Sequence, residues 1–299
     1  MASPLVRDML SAGIHFGNHA SRWNPKMKPY IYGKREKIHI IDIRETVRGL
    51  LRAQKFVTRV VAAGRDVLFV GTKRQSRDIV REHAARCEMH SVTERWLGGT
   101  LTNFRTIRSR LKRLEELENL VASPEWESGY SKKMKSTLSR ELRKIQRNLT
   151  GIRNMTALPG VIVAVDVRKE TNALREARSL NIPTICLIDT DGDPDFVSIP
   201  IPGNDDGMRA IELVINRMAD AVEEGKRARP EPKPTAQTQN ETALPARRRT
   251  REPEAAPAAQ PAEAFVPADA PPVVTSAAVA APAAEQAQPA ADESPTPAS

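Results

Sequence analysis

The sequence predicts a doubly wound α/β domain with an inserted, protruding helical hairpin and a C-terminal tail that does not fold. Three apolar runs, at 66–70, 161–165 and 184–188, predict buried strands. Helical stretches near 74–87 and 171–180 follow the first two runs. Continuous apolar strands that alternate with helices are typical of a parallel sheet covered by helices on both faces.

The end of the chain differs in composition from the rest. Residues 230–299 hold 14 of the 23 prolines and no aromatic side chain except Phe265. Such a segment cannot bury enough apolar surface to offset the entropy of ordering its backbone, so we expect it to be disordered. The remaining chain then divides into an α/β core over 1–104 and 150–229 and a helical hairpin inserted over 105–149.

Positive charge is concentrated in the part of the chain that we expect to fold. Of the 46 Lys and Arg and the 37 Asp and Glu, the tail holds 5 and 9, which leaves residues 1–229 with a formal surplus of 13 positive charges. Cations placed at phosphates release condensed counterions, so this surplus favours a nucleic acid partner. Basic proteins that bind no nucleic acid also exist, and charge alone does not separate the two classes.

Composition also argues against membrane and secreted proteins. No run approaches the roughly 18 apolar residues that span a bilayer, and the N-terminus lacks the basic and apolar regions of a signal peptide. Cys87 lies in a polar helical stretch, and Cys186 lies inside an apolar run. Two thiols in such different settings indicate a reducing compartment, and neither a disulfide framework nor a zinc site.

Local signals predict the first elements of the chain. Pro4 at the first helical position, with Ser3 as N-cap and Gly13 past the end, predicts a short N-terminal helix. The segment 23–41 is typical of two short strands joined by a charged turn around Gly33.

Helical periodicity predicts a longer second helix and then the hairpin. Asp42 is an N-cap with Glu45 at the capping-box spacing, and apolar residues recur at helical intervals up to Gly64. Over 105–149 the apolar residues repeat at steps of three and four, which gives each arm a narrow apolar seam surrounded by charges. The seam residues are Ile107, Leu111, Leu114, Leu117 and Leu120, then Leu138, Leu142, Ile145 and Leu149. We infer an antiparallel helical hairpin.

The turn after the first predicted sheet strand contains part of a phosphate-binding pattern. Gly71-Thr72-Lys73-Arg74 opens a helix, where backbone N–H groups favour anions. The chain has neither G-x-G-x-x-G nor Gly-Lys-Ser/Thr at this place, so we predict no nucleotide cofactor. Lys73 and Arg74 are then point charges that face either a polynucleotide phosphate or solvent.

Metal and catalytic sites find little support in the sequence. The carboxylates that alternate from Asp189 to Asp195 suggest calcium, but prolines stand where an EF-hand loop needs Gly and Glu, so an acidic turn is favoured. His15 and His19 are four residues apart without a third ligand, and we predict no metal there. No Ser/His/Asp or Cys/His set can be assembled, so we predict that the chain is not an enzyme.

Two segments combine aromatic and basic residues in a way that suits RNA. In Arg95-Trp96-Leu97-Gly98-Gly99, Trp and Arg could stack on bases while the glycines allow close backbone approach; the alternative is a packed Trp beneath a glycine turn with a solvated basic helix. Residues 23–29 are either an RNA-contacting loop or a core aromatic with two solvated lysines. The candidate RNA-binding residues are Trp23, Lys26, Lys28, Lys73, Arg74, Arg95, Trp96, Asn103, Arg105, Arg108, Arg110, Lys112 and Arg113.

These segments resemble the bacterial-type ribosomal protein S2 family of the small ribosomal subunit. The resemblance runs in order from about residue 4 to residue 225. The matching strings are Ala12-Gly-Ile-His15-Phe-Gly17, Arg22-Trp-Asn-Pro-Lys-Met-Lys-Pro29, Ile38-His-Ile-Ile-Asp42, Leu68-Phe-Val-Gly-Thr-Lys-Arg74, Arg95-Trp-Leu-Gly-Gly99, Leu101-Thr-Asn-Phe104, Ile199-Pro200 and Pro202-Gly-Asn-Asp-Asp206. Several unrelated strings in one order are more specific than any single motif.

The resemblance implies a flavodoxin- or Rossmann-like sheet with a protruding coiled-coil hairpin. It also implies a structural role in translation, with binding to small-subunit (30S) ribosomal RNA at the back of the particle between head and body and support for the docking of ribosomal protein S1. The implied location is the ribosome in a bacterial cytoplasm, with no membrane partner and no small-molecule substrate. By this analogy residues 23–29, Lys73 with Arg74, and residues 95–113 face RNA, and the N-terminal part and the hairpin are alternatives for protein neighbours.

The chain departs from the family pattern at two places. Asn18 stands where His is usual, and Thr93-Glu94 stands where Asn-His is common, so no metal or stacking role of histidine transfers to them. The tail lies outside the resemblance, and its Arg247-Arg248-Arg249 cluster either contacts RNA or is solvated. A Rossmann-type enzyme with an inserted hairpin and a free scaffold that binds protein through the hairpin are the alternatives from other functional classes.

Overall fold

Within the described residues, the fold combines a parallel sheet, a small antiparallel sheet and seven α-helices. The computed structural model describes residues 4–124, 126 and 129–229, so the predicted tail and the N-cap Ser3 lie outside the described residues. The helices are α1 (Pro4–Ala12), α2 (Ile43–Ala62), α3 (Arg77–Arg86), α4 (Phe104–Ala122), α5 (Lys132–Leu149), α6 (Thr171–Ser179) and α7 (Met208–Arg227). The strands are β1 (Phe16–His19), β2 (Ile31–Arg35), β3 (Ile38–Ile41), β4 (Val67–Val70), β5 (His90–Val92), β6 (Val161–Val165), β7 (Thr184–Ile188) and β8 (Ile199–Pro202).

The large sheet has the strand order β5-β4-β6-β7-β8, and all neighbouring strands are parallel. This is the order described for flavodoxin-like folds, in which the chain changes direction across the sheet between the first and third strands. The predicted α/β fold with a parallel sheet is confirmed. The edge strands β5 and β8 were not predicted, because β5 is short and β8 contains Pro200 and Pro202, which only an edge strand tolerates.

Alternate side chains of the sheet enter two separate cores. Val67 and Phe69 belong to the core beneath α2, α3 and α7, whereas Leu68 and Val70 belong to the core beneath α6 and the base of α4. Both faces of the sheet are therefore buried, which explains why its central strands are continuously apolar. No helix of the described residues is both long and apolar enough to cross a bilayer.

The small sheet has the order β1-β3-β2, with antiparallel pairs. The predicted turn around Gly33 is wrong: Gly33 lies inside β2, and the turn falls at Glu36 and Lys37, whose φ angles are 50° and 65°. Neither residue is a typical left-handed turn residue, so no local signal marked the position. Residues 25–30, predicted to be part of a strand, form a 3-10 helix that Asn24 caps by accepting a hydrogen bond from the Lys26 N–H.

The start of α2 has the predicted N-cap but a different side-chain arrangement around it. The Asp42 carboxylate accepts a hydrogen bond of 2.9 Å from the Arg44 N–H, as an N-cap does. The Glu45 side chain pairs with Arg48, so the predicted return bond of a capping box is not formed. Farther along the chain, α3 begins at Arg77, later than predicted, because the turn before it contains a hydrogen bond from Ser76 Oγ to the Lys73 carbonyl.

Helix α2 packs closely on the edge strand β8 through Gly49. A Cβ atom at Gly49 would lie 2.5 Å from the Pro200 carbonyl oxygen and 3.2 Å from Ile201 Cα. These atoms are backbone and cannot rotate away, so this glycine sets how near the helix comes to the sheet.

We expect Gly49→Ala to lower the free energy of unfolding by about 1–3 kcal/mol because the added methyl overpacks the contact with β8. The loss should appear although alanine is the better helix former by about 1 kcal/mol. Urea denaturation followed by circular dichroism measures it. Gly33→Ala is the control, since nothing lies within 4 Å of a Cβ there; equal stability of Gly49→Ala and the wild type would contradict the packing.

Candidate nucleic-acid interface

The loop that leads into α4 is held by the carboxylate of Glu176, a residue of α6. This carboxylate accepts hydrogen bonds from Trp96 Nε1 at 3.0 Å and from the N–H groups of Gly99 at 2.8 Å, Leu101 at 3.0 Å and Thr102 at 3.3 Å. Burial acts to raise the pKa of Glu176, but the hydrogen bonds outweigh it and the pKa is lowered. The loop is therefore wrapped around a fixed negative charge, and Gly99 takes the left-handed φ of 87° that the wrapping requires.

Trp96 belongs to the core and not to an exposed surface. It is only 8% exposed and packs in the core beneath α6. Its indole N–H is already bonded to Glu176. The packed Trp beneath a glycine turn is the arrangement found, and the covered ring presents no face for stacking on a base. A contact of Trp96 with RNA stays a prediction.

Lys73 is also directed inward. Its Nζ lies 2.6 Å from Asp205 Oδ1, 2.7 Å from Asp206 Oδ1 and 3.5 Å from Asp166 Oδ2, and its side chain is 11% exposed. Burial acts to lower the pKa of Lys73, but the hydrogen bonds to Asp205 and Asp206 outweigh it and raise that pKa, so the ammonium stays charged. Burial, helped by Asp166, raises the pKa of Asp205 to about 8. Lys73 is therefore held by carboxylates of its own chain, and a contact of Lys73 with RNA stays a prediction.

In the turn after β4, the Thr72 N–H group that could bind a phosphate is already hydrogen-bonded to the side chain of Glu170. Glu170 Oε1 accepts hydrogen bonds from the Thr72 N–H at 2.7 Å and from Thr72 Oγ1 at 2.6 Å. Glu170 is 1% exposed, and burial raises its pKa. Flavodoxin-like sheets bind nucleotides at this point, but here a carboxylate occupies the N–H group that a phosphate would use.

Three carboxylates at the carboxyl ends of β7 and β8 have the spacing of cation ligands. Oxygens of Asp189, Asp205 and Asp206 lie within 4.8 Å of one another, and hard cations such as magnesium prefer such oxygens. Burial raises the pKa of Asp189 to about 6. Sequence reasoning missed this group because its members become neighbours only when β7 and β8 pair. Lys73 already supplies a positive charge to two of the three carboxylates.

The loop that contains residues 23–29 has one free cation and one paired cation. The Trp23 ring is half-buried, with its centroid 5.3 Å from that of His39. Lys26 Nζ contacts Asp193 at 2.8 Å and Asp195 at 2.6 Å, and hydrogen bonds to these two carboxylates raise the pKa of Lys26. Much of the Lys26 charge is therefore compensated, whereas Lys28 is exposed with no ion pair inside the described chain.

Two cations near the base of α4 have internal partners. Arg108 Nη1 donates to the Met155 carbonyl oxygen at 3.1 Å. Arg113 contacts Glu116 at 3.0 Å and Glu141 at 3.7 Å, and the hydrogen bond to Glu116 is the largest cause that raises the pKa of Arg113. Both side chains are half-buried and help to fix α4 in place.

The other candidate cations are exposed and have no ion pair within the described ranges. They are Lys28, Arg74, Arg95, Arg105, Arg110 and Lys112. Asn103 is exposed as well, and its side-chain oxygen accepts a hydrogen bond of 2.7 Å from Thr106. Because these cations lie in solvent without a counter-charge, their charge is available to a polyanion.

Helix α5 adds basic residues that sequence reasoning did not include. A cleft of about 540 Å³ beside α5 is lined by Glu94, Arg95, Arg143, Lys144, Arg147 and Asn148. A second cleft of about 300 Å³ places Arg110 of α4 and Lys144 of α5 on one wall. The basic run over 132–147 was visible in the sequence, but it contains no aromatic residue and no glycine that would suggest RNA.

Comparison with known proteins places these features in one family. The family model described as "Ribosomal protein S2" matches residues 9–225. The small ribosomal subunit protein uS2 of Rhodopirellula baltica is 57% identical over 244 residues, which cover 81% of this chain and 94% of the relative. The small ribosomal subunit protein uS2c of Porphyra purpurea is 48% identical over 232 residues, or 78% and 96% of the two chains. The protein uS2 of Syntrophobacter fumaroxidans is 48% identical over 227 residues, or 76% and 82%.

We expect Lys73→Ala to lower the free energy of unfolding by about 3–5 kcal/mol, because the substitution leaves buried carboxylates without a counter-charge. Arg74→Ala, at the neighbouring exposed residue, should change that free energy by no more than about 0.5 kcal/mol. Urea denaturation of the two variants tests the contrast. Similar stability of both variants would show that Lys73 is not part of the buried cluster.

We expect the contribution of Glu176 to stability to depend on pH. Because its pKa in the folded protein is lowered, the contribution is complete above the ordinary value of 4.5 and is lost as the pH falls through the folded-state pKa. Glu176→Gln should therefore lower the free energy of unfolding by about 2 kcal/mol at neutral pH and by progressively less in acid. Urea denaturation of the wild type and the variant at a series of pH values measures the difference in the free energy of unfolding. A difference that stays constant down to strongly acidic pH would contradict the stabilising role of the ionised Glu176 carboxylate.

Proposed function

This chain belongs to the ribosomal protein S2 family, and from that premise we propose that it is a structural constituent of the small ribosomal subunit that acts in translation. Members of this family are structural proteins and not enzymes, which confirms the prediction that the chain has no catalytic activity. The relatives align over most of their own length, which supports transfer of the role to the whole α/β body. We propose a ribosome-bound location in a bacterial cytoplasm.

We propose that the chain binds small-subunit ribosomal RNA through the loop before α4 and the base of the hairpin. The observation that carries this proposal is the group of exposed, uncompensated cations there. The group consists of Arg95, Arg105, Arg110 and Lys112, with Arg143 and Lys144 of α5 beside them. Charges held on a rigid scaffold suit the phosphate backbone of a folded RNA, whose shape is recognised more than its sequence. Arg74 and Lys28 are further contacts in this proposal.

We propose a coiled-coil hairpin over 105–149 as the inserted domain, with the α/β core over 1–104 and 150–229. Leu114 and Leu117 of α4 are buried but belong to neither sheet core, and α4 contacts α5. An apolar seam between the two helices accounts for that burial. The hairpin then carries its charges outward, where RNA or neighbouring proteins can meet them.

We propose that a protein neighbour binds in an apolar groove between α1, the small sheet and the start of α2. Its volume is about 660 Å³, and Leu10, Tyr32 and Val47 line it. Tyr32 is 78% exposed, which is unusual for a large aromatic side chain in a protein without a partner. In this proposal the chain binds small-subunit ribosomal RNA at the back of the particle between head and body and supports the docking of ribosomal protein S1, for which the groove offers an apolar surface.

Arg105→Gln combined with Lys112→Gln should weaken binding to small subunits and lower its dependence on salt. Each phosphate contact that is lost should reduce the slope of log K against log salt by about 0.7–0.9. The measurement is co-sedimentation of the full chain with small subunits that lack it, at a series of salt concentrations. Lys34→Gln, which removes an exposed charge on β2, is the matched control and should leave the slope unchanged.

Two outcomes of that experiment would count against different parts of the proposal. An unchanged slope in the double variant would remove Arg105 and Lys112 from the interface. Wild-type protein that stays free of small subunits even at low salt would contradict the ribosomal role itself.

A further inference from the structure

Glu94 is an acidic residue placed among the cations at the base of the hairpin. Its Oε2 accepts hydrogen bonds from Arg147 Nε at 3.1 Å, from Arg147 Nη2 at 3.0 Å and from Arg77 Nη1 at 3.3 Å. Its Oε1 lies 3.6 Å from Arg81 Nη2. The Glu94 side chain is 18% exposed, whereas those of Arg81 and Arg147 are 56% and 68% exposed. One carboxylate at the bottom of the cluster therefore contacts three guanidinium groups.

These contacts join residues of three elements. Arg77 and Arg81 belong to α3, Glu94 follows β5, and Arg147 lies near the end of α5. Among the described residues of α5, Leu149 is buried and Leu142 and Ile145 are half-buried, so the apolar contacts hold one side of α5 and Glu94 contacts the polar side chain of Arg147 near its end. Arg147 donates from both Nε and Nη2 to the same oxygen, Glu94 Oε2, and two donors from one planar group restrict both the position and the rotation of that guanidinium.

The arginines have donors left for a ligand after Glu94 is satisfied. Arg147 uses Nε and Nη2 toward Glu94, and a guanidinium carries five N–H donors in a planar fork. The cleft beside it also presents Arg95, Arg143, Lys144 and the amide of Asn148. One carboxylate does not neutralise so many cations, and the surplus charge borders an open cleft that a phosphate group can enter.

We propose that Glu94 is a positioning residue for the ribosomal RNA contact: its carboxylate, itself in contact with Arg77 and Arg81, holds Arg147 in the orientation in which that guanidinium lines the cleft and receives an RNA backbone phosphate. This inference rests on the proposed function and adds to it the ligand group and the residue that prepares the site. The hydrogen bond to Arg147 is the largest cause that lowers the pKa of Glu94, so the carboxylate stays ionised at neutral pH.

If Glu94 positions arginines, its removal should weaken RNA binding; if Glu94 only reduces the net positive charge, its removal should strengthen RNA binding. Glu94→Gln adds one unit of positive charge to a basic surface, and if only net charge mattered, RNA would bind more tightly. If Glu94 positions the arginines, the same substitution lets them separate, and RNA binds more weakly despite the added charge. Glu82 supplies the matched control, because it is an exposed acid on α3 with no ion pair inside the described chain.

The test uses the full chain, titrated onto small subunits that lack it, with the wild type, Glu82→Gln and Glu94→Gln measured side by side. We expect Glu82→Gln to bind as tightly as the wild type or up to about twofold more tightly, and Glu94→Gln to bind about tenfold more weakly. Equal or tighter binding by Glu94→Gln, when the wild type binds, would overturn this inference alone. Failure of the wild type to bind would overturn the proposed function.

A second pair of variants separates positioning from a general loss of folding. Arg147→Lys keeps the charge but lacks the planar pair of donors that contacts Glu94 Oε2, so it should also weaken binding about tenfold while its urea denaturation curve stays close to that of the wild type. In an Arg147→Gln background, adding Glu94→Gln should change binding by no more than about twofold, because the group through which Glu94 acts is gone. A full tenfold further loss in that background would overturn the inference.

Discussion

The hydrogen bonds to one carboxylate, that of Glu176, fix the loop from which α4 begins. Thr102 is the last residue that the carboxylate holds, and α4 begins directly afterwards at Phe104. The direction of α4, and of every cation on it, is therefore set by a residue of α6. The pair Arg153 and Glu118, 2.8 Å apart, then fixes the middle of α4 to the chain that follows α5. The basic surface is rigid because its support is internal.

Burial and pairing decide which cations of this basic chain are available to a partner. Lys73 and Arg74 are adjacent, yet one enters a cluster of buried carboxylates and the other lies in solvent. The same division separates Lys26, which is paired with two aspartates, from Lys28. A count of Lys and Arg along the sequence cannot make this distinction, because the compensating carboxylates come from other strands and loops. The surface charge that RNA can use is thus smaller than the composition indicates.

The sequence predicted those parts of the fold whose signals are local. The strands β4, β6 and β7 are continuous apolar runs because each is buried on both faces, and the helical seam of the hairpin repeats at steps of three and four. Trp96 and its carboxylate partner gave no comparable signal, since Glu176 lies 80 residues beyond Trp96 in the chain. A Trp near two glycines in sequence is compatible both with an exposed ring that stacks on bases and with a buried ring in a tightly held loop. The hydrogen bond from Trp96 to Glu176 distinguishes the two, and the local sequence does not show it.

The ion pairs of Glu94, an acidic residue among basic ones, contribute little to the stability of the fold. Largely exposed ion pairs contribute only about 0–1 kcal/mol each, so the contacts of Glu94 with Arg81 and Arg147 do little to keep the protein folded. Arg81 also contacts Asp78 and Arg77 also donates to the Thr72 carbonyl, whereas Glu94 is the one carboxylate that contacts Arg147 among the described residues, so without it the Arg147 side chain would sample many rotamers. Ordering such side chains on binding costs about 0.5–1.5 kcal/mol each, and a carboxylate that orders them beforehand removes part of that cost. In this proposal the negative charge of Glu94 reduces the electrostatic attraction to RNA, but the carboxylate holds a guanidinium group in an orientation that a phosphate can contact without rearrangement.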